Sequence, residues 1–503
     1  MEKRTVLAIG LSLLVLLIWS AFVSKTQPIA NKAVATTESA VVASSISTQL
    51  PAMATSQPTK PEVLPQEVIK IKQENFEVSF IESSASVKEV FFTGHKYILP
   101  LENGFAFGGD DLIYKLHKKS EDELVFVAVS PQQKITKKFT FSNSSYIIDL
   151  ALEVQNLSSQ PVKITSPLYL GTLNFNNSNT NMRFEDAALA NKEKTQHLNA
   201  RKNFEMSNVE FVSLRERYFC GLLSPASDSF NGFVQKENSA SFVGLIKPDW
   251  TIPNGQTAIE KFRIYLGPQD LRLLNSLDPS WGGIIYYGTF DFIAQILLQS
   301  LEFIHKFVPS WGWTIVIFSL LIYLVLYPLT LKQMRSMKEM QSLQPKIEAL
   351  RVNYKDNPQR LNKEIMELYK EHKVNPLGGC LPLLLQMPIF FALYQVLMRS
   401  VALHGAKFLW IKDLSGPDKL FQINGFDVNI LPILMALGMF VQQKMSIVAG
   451  SSSEAAQQQK IMLVVMPIMF GFIFYKMPSG LVLYWFINSA LMMVYQVRTR
   501  LAK

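Results

Sequence analysis

NPLGGCLPLLLQMPIFFALYQVL, residues 375–397, is apolar enough to sit in lipid, yet it carries Pro382, Gln386 and Pro388 where a membrane helix should be unbroken. In hydrocarbon every backbone N–H and C=O needs a partner inside the protein, and proline removes a donor and crowds the carbonyl one turn earlier. Neighbouring helices, water or Gln386 must therefore take up the freed carbonyls, and the helix is expected to bend.

Working outward, the chain reads as a membrane protein. It has 503 residues, 48% of them apolar, which is too long for one small domain and too oily to be wholly soluble. Apolar runs recur at 6–23, 312–329, 377–398, 430–448, 461–475 and 481–497, enough for six spans, with Pro467 interrupting the fifth. Lys and Arg exceed Asp and Glu by 49 to 40, and the placement of that excess favours membrane topology over a nucleic-acid partner. Lys3 and Arg4, the basic stretch after Leu329, Lys444 with Lys460, and Arg498, Arg500 and Lys503 fall on one side if every run crosses; that side is expected to be the cytoplasm. The first run is read as an uncleaved anchor, with a cleaved signal peptide as the competing reading.

Between the first two runs the pattern changes twice. A Ser-, Thr-, Ala- and Pro-rich stretch has little to bury and is expected to be a tether. Short alternating runs such as FEVSFI, LVFVAV and SYIIDLAL then predict antiparallel strands of a large β-sandwich, placed outside the cytoplasm, in the periplasm if the cell is Gram-negative.

The expected order is an anchor (1–24), a linker (25–70), the β-sandwich (71–284), an amphipathic interfacial helix (285–308) and a second span (309–330). There follow a cytoplasmic helical hairpin (331–375), a third span (376–399), a periplasmic loop (400–428) and a fourth span (429–448). A cytoplasmic loop (449–459), two last spans (460–476 and 480–498) and a cytoplasmic tail (499–503) complete it.

In the hairpin, Met334, Met337, Met340, Leu343, Ile347, Leu350 and Tyr354 form one helical stripe, and Leu361, Ile365, Leu368 and Tyr369 begin another after a turn at Asp356–Pro358. Lys338, Arg351, Arg360 and Lys363 lie on the solvent face, open to ribosome, lipid headgroups or a substrate.

No catalytic or cofactor signature is present: the chain has no H-E-x-x-H, G-x-S-x-G or G-x-x-x-x-G-K-[ST]. Cys220 and Cys380 lie far apart and make no disulfide framework or metal spacing. His95, His117 and His197 read as surface or turn residues. No enzyme activity, cofactor or metal is expected.

YPLTLKQMRSMKEMQSLQPKI, KVNPLGGCLPLLLQMPIFFALYQVL, QQKMS and MPSGLVLYW, in that order and spacing, closely resemble the YidC membrane protein insertases, the bacterial branch of the family that includes the mitochondrial Oxa and chloroplast Alb proteins. The resemblance is strongest from Trp311 onward; upstream, the β domain ending in YLGPQD looks like the periplasmic domain of Gram-negative members, a β-sandwich similar to sugar-binding folds. It implies insertion and folding of newly made inner-membrane proteins, alone or beside the SecYEG and SecDF translocon components, through a hydrophilic groove among five core spans, open to cytoplasm and lipid.

Residues suited to such a groove are Ser319 and Tyr323, four apart on one helix face, with Gln386, Gln442, Gln443, Tyr484, Trp485 and Asn488. For each, an interhelical hydrogen bond is the plainer alternative. Pro388, Phe390, Phe391, Tyr394, Met398, Met466 and Met469 would form a compliant apolar slide, in a chain where 15 of 19 methionines follow residue 330. One departure stands out: family members usually carry an arginine four residues before the YPLT tyrosine, and Tyr323 occupies that position here. The groove carries over, but a pull by positive charge does not. The rival reading is a secondary transporter or channel with a periplasmic sensor domain, which predicts inverted repeats or buried mid-membrane charges; neither is apparent.

Overall fold

A computed structural model describes residues 67–108, 112–142, 146–174, 186–198, 202–227, 229–238, 240–355, 357–372, 374, 381–446 and 453–501. The expected anchor and nearly all of the linker lie outside the described residues. The linker was expected to run to 70, but a strand already begins at Val68, where Ile69 and Ile71 turn inward and the lysines outward.

The β domain has one large sheet of nine strands. In spatial order they are Thr195–Leu198, Asp186–Asn191, Val209–Arg215, Phe219–Pro225, Thr257–Pro268, Ile147–Asn156, Gln133–Phe141, Glu123–Val129 and Lys115–Lys119, and their pairings are antiparallel. Two four-stranded sheets share its core, one starting at Val68–Lys72 and one containing Leu168–Asn174. Phe80, Phe126, Phe139 and Phe141 meet there in tilted and edge-on contacts, the geometry that ring quadrupoles favour.

The other face of the large sheet is covered as well. Ile147, Ala188, Phe211, Cys220, Leu222 and Tyr265 belong to a second core that continues through Trp281, Ile284 and Leu301 into the helices. That is why Phe219–Pro225, covered on both faces, begins as an unbroken apolar run instead of alternating.

The helices follow in chain order: α1 (Leu271–Leu277), α2 (Asp291–His305), α3 (Trp311–Ser342), α4 (Gln344–Asn353), α5 (Pro358–Glu371), α6 (Leu381–Arg399), α7 (Ile430–Ser446), α8 (Ser453–Phe474) and α9 (Ser479–Leu501). Asp270 caps α1 by accepting from the backbone N–H of Arg272 and Leu273. In α2, Ala294, Leu297 and Leu301 are buried while Phe292, Ile296 and Phe303 stay exposed, so the helix is apolar on two sides and shorter than the 285–308 expected.

At 32 residues, α3 is about 48 Å long, well beyond the ~30 Å of a bilayer core. It runs without a break past residue 330, where a boundary was expected. Leu343 interrupts the stripe that was expected to continue from Met334 to Tyr354, and α4 restarts after it. Leu343, Ile347 and Val374 then pack with Met340, Ile365, Leu368 and Tyr369.

Among the described residues, Trp311–Lys332 and Ser479–Arg498 are long and apolar enough to cross a membrane; Ile430–Met445 and Leu463–Phe474 are apolar but shorter. Contrary to expectation, His197 is neither a turn nor a free surface residue: it lies on an edge strand, stacked on Tyr286 at 4.5 Å, and burial pushes its pKa down to about 4.

Candidate functional site

Among the described residues, polar side chains of the helical core include three sets. The first is a hydrogen bond between α6 and α9, with a second bond inside α9 beside it. Gln386 Nε2 donates to the Tyr484 hydroxyl at 2.5 Å, and Asn488 Nδ2 donates to the Tyr484 carbonyl at 2.9 Å. Tyr484 is fully buried, and the ring of Phe318 on α3 lies 6.4 Å from it.

The second is a run of phenols. Tyr323 and Tyr327, one turn apart on α3, have ring centroids 6.0 Å apart, and Tyr327 meets Tyr495 of α9 edge-on at 6.0 Å. All three are partly exposed. Tyr327 and Tyr495 escaped the sequence reading, although the four-residue spacing from Tyr323 to Tyr327 was there to be used.

The third is the pair Gln442 and Gln443, half-buried near the end of α7.

Two expected groove residues sit elsewhere. Ser319 has no exposed surface, and its Oγ donates back to the Ile315 carbonyl at 2.7 Å, a bond that satisfies the hydroxyl within its own helix. Trp485 stands in an aromatic box with Phe390, Phe470 and Phe474 at 5.3–5.8 Å, joining α6, α8 and α9. The Ser319 hydroxyl is thus bonded within its own helix, and half-buried Trp485 lies among rings.

Of the expected slide, Phe390 belongs to that box, while Phe391 stacks on Phe290 at 6.4 Å. Pro388, Tyr394, Met466 and Met469 are half-buried on α6 and α8. Met398 is tied down: its carbonyl accepts from Arg217 Nε at 2.8 Å, and Arg217 Nη2 approaches its sulfur at 3.3 Å. A side chain held at a helix end by a guanidinium is a joint, not a slide.

On the helices after α3, Arg360 sits over the Tyr354 ring and 3.8 Å from Glu364, and Lys363 lies 3.9 Å from Glu367. Lys338 is exposed and Arg351 half-buried.

Sequence reading also missed the joint between the β domain and the helices, made of residues distant in the chain. Arg215 grips Asp186 with Nε and Nη2, both at 2.5 Å, and donates to the Ile284 carbonyl; Arg399, the last residue of α6, stands 3.8 Å from the same aspartate. Arg217 also donates to the Ser415 carbonyl, and the Tyr218 hydroxyl meets Ser415 Oγ at 2.7 Å. Asp413 accepts from Ser415 and faces His404 at 3.6 Å. Burial works against the Asp413 carboxylate, but the nearby His404 side chain and hydrogen bonds from the Ser415 side chain and the Ser415 and Gly405 backbones outweigh it and hold its pKa down at about 2.

No group of three or more His, Cys, Asp or Glu side chains among the described residues is placed to hold a metal ion.

Apolar helices joined through arginine side chains to a β-sandwich define the class: a membrane protein with a large domain outside the bilayer. Residues 303–502 match the family model of the 60Kd inner membrane protein, and residues 86–300 match that of the YidC periplasmic domain. The chain belongs to the YidC family. The membrane protein insertase YidC of Pelobacter propionicus is 36% identical over 78% of this chain and 74% of its own. That of Syntrophus aciditrophicus is 32% identical over 98% of each. Among solved structures, YidC from Thermotoga maritima is 16% identical, covering 85% of this chain and 99% of its own at a TM-score of 0.32.

Proposed function

We propose that this protein inserts newly made proteins into the bacterial inner membrane, using the polar track between α3, α6 and α9 as the path for the hydrophilic flank of an incoming segment. Family membership across both the β domain and the helical region supports insertase activity. The single observation that carries the path is the Gln386–Tyr484 bond, an uncharged polar pair in the middle of apolar packing.

A backbone group taken into hydrocarbon without a partner costs several kcal/mol, so amide and phenol groups part-way across lower the barrier for a polar flank. Once that flank is through, each buried CH₂ contributes about 0.8 kcal/mol, and a whole transmembrane segment supplies ample driving force. No nucleotide is needed for that step.

In this reading six segments cross the membrane, five of them forming the core, with both termini and the α4–α5 pair in the cytoplasm and the β-sandwich in the periplasm. Clients are nascent inner-membrane proteins. The exposed cations Lys338, Arg360 and Lys363, with Arg351, are placed to meet a ribosome or lipid headgroups, and SecYEG and SecDF are the expected translocon partners.

Reconstitution into liposomes with a small one- or two-span client tests the proposal. Protease-protected, membrane-embedded client is the expected result. Solute flux through the vesicles with the client left uninserted would instead establish the transporter reading.

A further inference from the structure

The segment between α6 and α7 ends in a small hairpin that lies outside the proposed α3–α6–α9 path. Phe421–Ile423 and Phe426–Val428 pair antiparallel, with Phe421 opposite Val428, Gln422 opposite Asp427 and Ile423 opposite Phe426. Side chains alternate along a strand and directly opposed residues share a face, so the four apolar residues lie on one face and Gln422 and Asp427 on the other. Asn424 (φ 48°) and Gly425 (φ 85°) supply the left-handed pair that a two-residue hairpin turn requires.

The two faces are treated differently. The polar face is satisfied within the hairpin: Gln422 Nε2 donates to Asp427 Oδ1 at 3.2 Å, and Lys419 Nζ lies 2.8 Å from Asp427 Oδ2. The apolar face is bare, with Phe421 49%, Ile423 54% and Phe426 78% exposed.

The base of the hairpin is fixed. The Tyr475 hydroxyl, just past α8, donates to the Asp427 carbonyl at 2.6 Å, and Asn429 Nδ2 donates to the Tyr475 carbonyl at 2.6 Å. Asp418 Oδ2 accepts from the Leu431 N–H in the first turn of α7. Its height is therefore set by the ends of two apolar helices. One residue past it α7 begins, and Ile433, Leu437 and Val441 leave an exposed apolar stripe at four-residue spacing.

We propose that the apolar face of this hairpin is seated in the interfacial layer of the outer leaflet, anchoring the periplasmic ends of α7 and α8 at headgroup level. The inference rests on the reading of α7 as a span. Aromatic side chains favour the headgroup boundary, and the Lys419–Asp427 pair on the opposite face stays toward water. Continuity with the α7 stripe selects lipid as the occupant. A client strand would instead add to one of the free edges, each only three residues long.

Depth measurement by spin labelling tests this. Single cysteines at Phe426→Cys, Gln422→Cys and Leu437→Cys are placed in a Cys380→Ser background, Cys220 being fully buried. The full chain is reconstituted in phosphatidylethanolamine and phosphatidylglycerol vesicles without client. Collisions with oxygen and with a water-soluble nickel chelate are compared. The expected pattern is a deep Leu437 label, a nickel-accessible Gln422 label and loss of nickel collisions at Phe426 in favour of oxygen. A Phe426 label as open to nickel as the Gln422 label, with Leu437 still deep, overturns the anchor alone. A Phe426 label shielded only after client is added assigns the face to the client and overturns it too. Nickel access at Leu437 removes the span reading and the anchor together.

Discussion

Arg217 donates from Nε to the carbonyl of Met398 at 2.8 Å, across 181 residues of chain. The carbonyls of the last helical turn have no partner within their own helix, and a guanidinium there both bonds them and opposes the negative end of the helix dipole. The β domain thus caps α6, the helix that carries Gln386 and Pro388.

Replacing Arg217 removes the bonds to Met398 and Ser415. Hydrogen bonds to charged groups contribute roughly 1.5–3 kcal/mol each. Arg217→Ala is expected to lower the melting temperature of the detergent-purified protein clearly, and Arg217→Lys, which can keep one bond but not the fork, to fall between. Equal melting of all three forms would show that the joint contributes nothing.

Asp186 stands between two guanidiniums, with the Arg215 side chain only 1% exposed. Asp186→Asn leaves that pair of cations without its carboxylate, and breaking a buried pair this way costs about 3–5 kcal/mol. Arg399→Gln in the same chain is expected to restore part of the loss. Denaturant unfolding of the two variants measures both effects.

Lys137 points into the sandwich core at an inward position of its strand, with no exposed surface. Its ammonium donates to the carbonyls of Ala85 and Phe105, at 2.5 and 2.6 Å, and burial pushes its pKa down to about 7. An unfolded lysine titrates near about 10.4. Between those values the unfolded chain holds a proton that the folded chain has shed, so this group makes stability rise with pH from about 7 upward and leaves it flat below. From pH 6 to about 10, the melting temperature of the native protein should rise relative to that of Lys137→Met, closing at the alkaline end the gap that the buried charge opens near neutral pH. Parallel profiles would refute the assignment.

Tyr323 is uncharged at the position where the sequence resemblance leads one to expect an arginine. Complementation of an insertase-depleted strain by the native chain and by Tyr323→Arg is expected to give growth with both, because the track works by polarity. Growth with the arginine form alone would mean that a positive charge is required.

How much of this was legible follows from how local each signal is. Alternation marked the strands, and 3.6-residue spacing marked α4 and α5, because both depend on neighbours a few residues away. The dipeptide Asn424-Gly425 between FQI and FDV is a local hairpin signal that was open to reading and went unread. The three-way split of the polar residues was not legible. Whether Ser319 faces a cavity or its own Ile315 carbonyl depends on rotamer and packing, and Trp485 was drawn among Phe390, Phe470 and Phe474 by helices far apart in sequence. Arg215 ends its strand and Arg217 lies two residues past it, with nothing in their neighbourhood to announce Asp186 or Met398.

The central claim is that a client passes along the α3–α6–α9 track, and photo-crosslinking during insertion tests it most directly. A photoreactive residue at Asn488 or Tyr323 is compared with one at Phe472, which is 84% exposed on α8. The account predicts that a nascent one-span client crosslinks to Asn488 and Tyr323 while its polar flank is in transit, with little capture at Phe472. Capture at Phe472 and none along the track would contradict it.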